Sequence, residues 1–327
     1  MAVLVLGGAG YIGSHTVYAL CEAGREVVVV DNLETGHQEA VHEKAAFYQG
    51  DISDTAFLHH VLRRESIDGV IHFAAYSIVA ESMRNPLKYY ENNVCKTKKM
   101  LEVLLESGVQ DVVFSSTAAV YGEPNRVPIS EQDPTEPTNP YGATQLAMEQ
   151  MFRWVANTGN LRFVSLRYFN ACGAHQDGKI GEAHPTETHL IPLLLQVANG
   201  KRDAVAVFGC DYPTQDGTCV RDYIHVADLA DAHILALDYL KDGGKSDIFN
   251  LGNGVGFSVK EVIETARRVT GHAIPVQISE RREGDPARLV ASSQKAKNVL
   301  GWKPRYHQLE EMEETAWRWH RRHPEGY

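Results

Sequence analysis

Through its first half the chain alternates short apolar runs with longer stretches whose apolar residues recur every three or four positions. Residues 3–6, 26–30, 46–48, 69–73, 111–115 and 162–166 read as buried strands. Helical periodicity fills the gaps at 12–23, 54–64, 81–107 and 141–157. Strand–helix alternation of this length predicts an α/β fold, with a doubly wound parallel sheet covered by helices on both faces. After Tyr168 the pattern loosens into Gly, Pro, Thr and His, typical of a ligand-facing region. Strands are still expected at 204–208 and 248–251, and helices at 190–199, 226–241, 258–270, 293–300 and 308–322.

The first strand runs straight into Gly7-x-x-Gly10-x-x-Gly13, which opens the first helix. Glycines there permit a tight turn and let the backbone approach a pyrophosphate resting on the helix N-terminus. Asp31 closes the second strand, where a carboxylate can accept both ribose hydroxyls of an adenosine. From Asp31 and Asn32 to His37 there is no Lys or Arg to neutralise a 2′-phosphate, which favours NAD over NADP. Asp51 and Ile52, after the third strand, are placed to hold the adenine, although Asp51 alone would pass as a helix cap. The chain contains no repeat and no linker. We therefore expect a Rossmann NAD-binding domain at 1–170 plus roughly 225–250, interleaved with a smaller α/β substrate domain at 171–224 and 251–327.

Composition narrows the partners. With 32 Lys and Arg against 42 Asp and Glu the net charge is −10, which argues against nucleic-acid or anionic-membrane binding. An anionic substrate would then need arginines placed locally. Five scattered cysteines without a CxxC pair suit reduced thiols and a cytoplasmic address, with a Cys210–Cys219 disulfide as the lesser alternative. The apolar start lacks preceding basic residues, so it reads as a strand rather than a signal core. No apolar run is long enough to span a membrane.

Further motifs follow in order: Ser115-Ser116-Thr117-Ala118-Ala119, Asn139-Pro140-Tyr141-Gly142-Ala143-Thr144-Gln145, Arg167-Tyr168-Phe169-Asn170, Arg221-Asp222-Tyr223 and Arg282-Glu283-Gly284-Asp285. With the glycine turn, they resemble the extended short-chain dehydrogenase/reductases, and within them the UDP-glucose 4-epimerases of bacterial type. The resemblance runs from Val3 to Trp319. It implies that NAD takes hydride from sugar C4, that a tyrosine base at Tyr141 removes the O4 proton, and that Thr117 hydrogen-bonds O4. Read without the family, Tyr141 is a helix-start residue and Thr117 a satisfied strand-end hydroxyl. The resemblance also implies cofactor contacts at Tyr11, Ile12, Phe73, Ala74, Ala75, Asn92, Ser115, Tyr141, Gln145 and Tyr168. For the UDP-hexose it implies Arg221 and Arg282 on the diphosphate and Asp285 on the uridine ribose. Asn170 falls near phosphates or hexose, Ala206, Val207 and Phe208 beside the uracil, and His189 and Leu190 on the nucleotide sugar, where relatives usually carry Asn in place of His189. Read alone, Arg281-Arg282-Glu283 is a solvated surface run.

One departure stands out. The family writes Tyr-x-x-x-Lys, and the fourth residue after Tyr141 is Gln145. Residues i and i+4 share a helix face. An ammonium there would clamp the nicotinamide ribose and favour the tyrosinate. A neutral amide supplies no charge, so the expectation is NAD and UDP-sugar binding with impaired turnover. Two rival readings remain. A dehydratase or decarboxylase of the same fold lacks its proton donors, because Ala118-Ala119 stand where an Asp-Glu pair is needed. A non-catalytic binding protein would not require Tyr141, Thr117 or the two arginines.

Glu182, His184, Glu187 and His189 raise the question of a metal. Their spacing does not share a helical face and Pro185 bars a regular helix, so a hydrophilic loop with no metal is expected. Trp317 and Trp319 read as core. Segments 87–105 and 144–155 are apolar enough for a two-helix homodimer face, as the family uses.

Overall fold

The computed structural model describes residues 1–282 and 285–327, leaving Glu283 and Gly284 of the Arg282–Asp285 motif outside the described residues. Strand β1 (Ala2–Leu6) feeds helix α1 (Tyr11–Glu22), followed by β2 (Val27–Asp31), β3 (Ala46–Gln49), α2 (Thr55–Arg64) and β4 (Ile67–His72). Next come α3 (Val79–Arg84), α4 (Pro86–Tyr89), α5 (Lys96–Glu106), β5 (Asp111–Thr117), α6 (Pro140–Ala156) and β6 (Arg162–Tyr168). The remainder holds β7 (Asn170–Cys172), α7 (Leu190–Ala198), β8 (Val205–Phe208), β9 (Val220–Arg221), β10 (Tyr223–His225) and α8 (Val226–Lys241). It ends with β11 (Asp247–Leu251), β12 (Phe257–Ser258), α9 (Val259–Thr270), β13 (Val276–Ser279), β14 (Arg288–Leu289), α10 (Gln294–Val299) and α11 (Leu309–Arg322).

Seven strands form one parallel sheet in the order β11-β6-β5-β4-β1-β2-β3. Strand β1 is apolar at every position, and β2 up to Asp31, because both faces are covered. Alternate residues part company: Val3, Val5 and Val29 join Val17 and Leu20 of α1 and Leu229 and Leu237 of α8. Leu4, Leu6, Val28 and Val30 point the other way, toward α2, α5 and α6. Each fully buried side chain of this kind stabilises the fold by roughly 1.5–3 kcal/mol. The order reverses between β1 and β4, and there the sheet opens a crevice at its carboxyl edge.

The single helix expected over 81–107 is interrupted. Pro86 has no N–H to donate and its ring disfavours a helical conformation at the residue before it, so the helix breaks at Asn85. A π turn over Tyr90–Cys95 then leads into α5. Segment 225–250 returns to the first half, with α8 packed on α1 and β11 paired with β6. A separate apolar core joins Leu194 and Leu195 of α7, Val205 and Val207 of β8, Val262 and Ala266 of α9 and Met312 and Ala316 of α11. All five cysteines are free. Among the described residues no helix is long and apolar enough to cross a membrane.

Candidate active site

At the crevice, Gly7 adopts φ 78°, and a Cβ on it would lie 2.7 Å from the Ala74 nitrogen. A Cβ on Gly13 would lie 2.2 Å from the Gly7 carbonyl oxygen. Only glycine allows these approaches, which seat the first turn against Phe73 and Ala74, with Ala75 next in the chain. Gly10 caps α1 without a side-chain bond and the first turn carries no acid. The helix N-terminus is thus kept free for an anion, with Tyr11 and Ile12 in its first turn. The Tyr11 hydroxyl donates to the Gly173 carbonyl at 2.6 Å, tying the turn to the second region.

Asp31 ends β2 and is 8% exposed. Its two oxygens accept the Ala9 and Leu33 amides, each at 2.9 Å, and the latter bond holds Leu33 in a left-handed conformation at φ 60°. Burial pushes its carboxyl above the usual range, with those amides opposing. Asn32 donates to Asp51 at 3.3 Å. Asp51 also pairs with Lys96 at 2.6 Å; against the opposing pull of burial, Lys96 and Ser53 bring its carboxyl down to about 2. Ile52 beside it is buried. Lys96 is a residue that sequence reasoning misses, because its partner lies 45 positions away.

Thr117 is the last residue of β5, and Tyr141 follows Pro140 at the start of α6, whose cap Asn139 accepts the Gly142 amide at 2.9 Å. Burial raises the Tyr141 phenol above its usual range, and the neighbouring Thr117 and Gln145 side chains counter this only in part. No cation among the described residues contributes to that balance. Gln145 is 3% exposed and its Oε1 is buried without a hydrogen-bond partner. Ser115 and Tyr168 share a hydrogen bond at 2.5 Å.

Beneath these residues lie groups that no motif announces. Arg167 forks onto Glu149 and donates to Tyr121, while Ser116 donates to Glu149 and Tyr121 to Asn250. Asn93 is fully buried, accepts from the Tyr76 amide and from Asn92, and donates to Thr144. The visible signal was only a polar residue amid helical sequence.

In the second region Arg221 is ion-paired with Asp285, and the Arg282 guanidinium lies 3.8 Å from the Phe208 ring centre. These four residues therefore gather at one place. Ala206 is exposed and Phe208 half-buried, whereas Val207 turns into the core, so only its backbone can face a ligand. Asn170 opens β7 and donates to the Asp222 carbonyl at 3.1 Å. His189 caps α7 and Leu190 begins it, but the His189 ring is turned to Glu182 and Glu187.

The segment around His184 is irregular, as Pro185 requires, yet it is not a loosely solvated loop. Glu182 is 4% exposed and the four side chains converge within 4.8 Å. Spacing along a helix was the wrong criterion, since an irregular chain can bring all four together.

Residues 3–252 match the NAD dependent epimerase/dehydratase family, and the chain belongs to that family. Among its relatives, the UDP-glucose 4-epimerase of Halalkalibacterium halodurans is 59% identical, covering 100% of this chain and 98% of that protein. A crystal structure of a UDP-glucose 4-epimerase superposes with a TM-score of 0.98 at 55% identity, over 100% of this chain and 99% of the other. The UDP-glucose 4-epimerase of Bifidobacterium longum, solved in complex with NAD+ and UDP, gives 0.95 at 39% identity over 100% of both chains.

Proposed function

We propose that the chain interconverts UDP-galactose and UDP-glucose at C4, holding NAD as a recycled cofactor, and that Gln145 slows it. The observation that carries this reading is the convergence of Thr117, Tyr141 and Gln145, with the phenol brought to the end of the sheet. The residues present fit the dinucleotide: a glycine cradle that a Cβ would fill, a buried Asp31, and an orphaned Gln145 amide oxygen in need of a donor. When bound, NAD supplies the hydride acceptor and donor. Tyr141 removes the O4 proton and returns it, Thr117 hydrogen-bonds O4, and Gln145 reaches the ribose without adding charge. Arg221 and Arg282 grip the diphosphate through paired donors and Asp285 takes the uridine ribose, which requires the Arg221–Asp285 pair to rearrange. Tethering the nucleotide leaves the hexose free to present its other face.

The chain divides functionally into NAD-binding residues 1–170 with 225–250 and UDP-sugar-binding residues 171–224 with 251–327. Leu87 is 80% exposed and Trp154 73%, which supports a homodimer through the segments 87–105 and 144–155. Light scattering tests that; a monomer at all concentrations would remove it. The reaction is tested by incubating purified chain with UDP-galactose and measuring UDP-glucose, while identifying the dinucleotide released on denaturation. Slow conversion with NAD supports the proposal. Release of NADP, or no conversion even by Gln145→Lys, rejects it.

A further inference from the structure

Glu182-x-His184-x-x-Glu187-x-His189 lies in a segment without regular structure that is nonetheless held from several sides. A Cβ on Gly181 would lie 2.4 Å from the Trp319 ring, and the Tyr327 hydroxyl bonds both backbone groups of Gly181, at 2.9 and 3.0 Å. The Ala183 carbonyl contacts His37 Nε2 at 2.7 Å, and Glu187 accepts the Thr188 and His189 amides, each at 2.7 Å. The Tyr11 ring meets His184 edge-on at 6.2 Å.

Both imidazoles turn the same atom, Nδ1, toward the two carboxylates. His184 Nδ1 lies 3.2 Å from Glu182 Oε1 and 3.3 Å from Glu187 Oε2. His189 Nδ1 lies 2.8 Å from Glu182 Oε1 and 3.2 Å from Glu187 Oε1. Bonds of 2.0–2.1 Å around a tetrahedral zinc put its donor atoms about 3.3 Å apart. Three of the four contacts are close to that edge, those to Glu187 falling on its two different oxygens, and one donor atom from each residue lies within 4.8 Å of the others. The Glu187 carboxylate is 5% exposed, and Glu182 Oε1 is buried without a hydrogen-bond partner despite two ring nitrogens this close. His184 Nδ1 meets Glu187 Oε2 in a hydrogen bond at 3.3 Å, but the two approaches onto Glu182 Oε1 have no N–H aimed along them, which is what a shared cation, rather than a proton, would produce there.

We propose that Glu182, His184, Glu187 and His189 bind one divalent cation of the zinc class. Two carboxylates neutralise its charge and two neutral imidazoles complete four nitrogen and oxygen donors. With all four positions filled by protein, the ion has no open site for substrate, so its role is structural. It fastens the N-terminus of α7, and with it Leu190, against the start of α1 through Tyr11 and against the loop after β2 through His37. The competing arrangement is a quartet of two imidazolium and two carboxylate ions.

The test is metal content of the whole chain, purified without chelator, exposed to micromolar zinc sulfate and desalted. The expected result is about one zinc per chain by mass spectrometry. X-ray absorption should show nitrogen and oxygen scatterers near 2.0 Å and no sulfur shell. Removing zinc with a chelator should lower Tm, and restoring it should recover Tm. His184→Ala should reduce zinc to background; Glu182→Gln serves the same purpose if that variant does not fold. A chain that stays metal-free with a chelator-insensitive Tm has the ion-pair quartet, and the proposal fails. It fails equally if His184→Ala retains one zinc or if sulfur appears in the scattering.

Discussion

Gln145 stands one helical turn beyond Tyr141 on α6, and its amide oxygen is buried with nothing to bond. Burial raises the phenol there, and no cation among the described residues counters it. Lowering a tyrosine by three pH units takes roughly 4 kcal/mol, most of which a neutral amide cannot deliver. Gln145→Lys should therefore raise kcat at least tenfold and move the acidic limb of its pH profile downward. Steady-state rates with UDP-galactose from pH 6 to 9 check this. An unchanged rate in a variant that still binds NAD would refute the role given to position 145.

The glycines of the first turn separate folding from cofactor binding. A Cβ on Gly10 meets only the Gly7 oxygen, at 3.5 Å, so Gly10→Ala should leave Tm unchanged or slightly higher. It should nevertheless reduce bound NAD at least tenfold, because the methyl occupies the path of the pyrophosphate. Gly13→Ala instead drives its Cβ into the Gly7 carbonyl and should cost about 3 kcal/mol of stability. Dinucleotide released on denaturation and thermal melts together distinguish the two. Equal NAD content in Gly10→Ala and the parent would show that the turn is only a tight connection.

The sheet was legible because its evidence is local. Val27–Asp31 is apolar on both faces until Asp31, and the residues that pair it with β1 do not change that pattern. Segment 81–107 was misread because periodicity outweighed Pro86, whose effect on the backbone is stronger. The strands β9, β12 and β14 are two residues each and exist only through one another, so no period could reveal them. In the site, Tyr141, Thr117 and Asp31 announced themselves through flanking motifs. Lys96, Asn93 and Glu149 did not, since each gains its meaning from a partner in another element. The Glu182–His189 set was visible within eight residues, but its convergence was not, because it depends on an irregular backbone rather than on helical spacing.

Arg167 and Glu149 are 3% and 2% exposed and joined by two hydrogen bonds, with Tyr121 and Ser116 taking part of their remaining capacity. Arg167→Met leaves a carboxylate buried without its counter-ion and should cost about 3–5 kcal/mol. The double variant Arg167→Met with Glu149→Leu should recover much of that loss, because no charge is then stranded. Urea denaturation midpoints check both. If the single variant lost less than about 1 kcal/mol, the pair would not be holding α6 to the sheet.

Glu313 on α11 is fully buried, and neither carboxylate oxygen has a partner. Burial lifts its carboxyl from the usual 4.5 to about 9, with Arg268 pulling the other way. The folded state therefore keeps a proton that the unfolded chain gives up near pH 4.5. Stability from this group is intact below that pH and is lost as pH rises toward 9, at about 1.4 kcal/mol for every pH unit. Glu313→Met removes the titration and fills the same space. Its advantage over the parent should widen by on the order of 4 kcal/mol between pH 5 and pH 8. Urea midpoints at the two pH values measure it, and a gap that does not change with pH would mean that Glu313 is ionised in the folded chain.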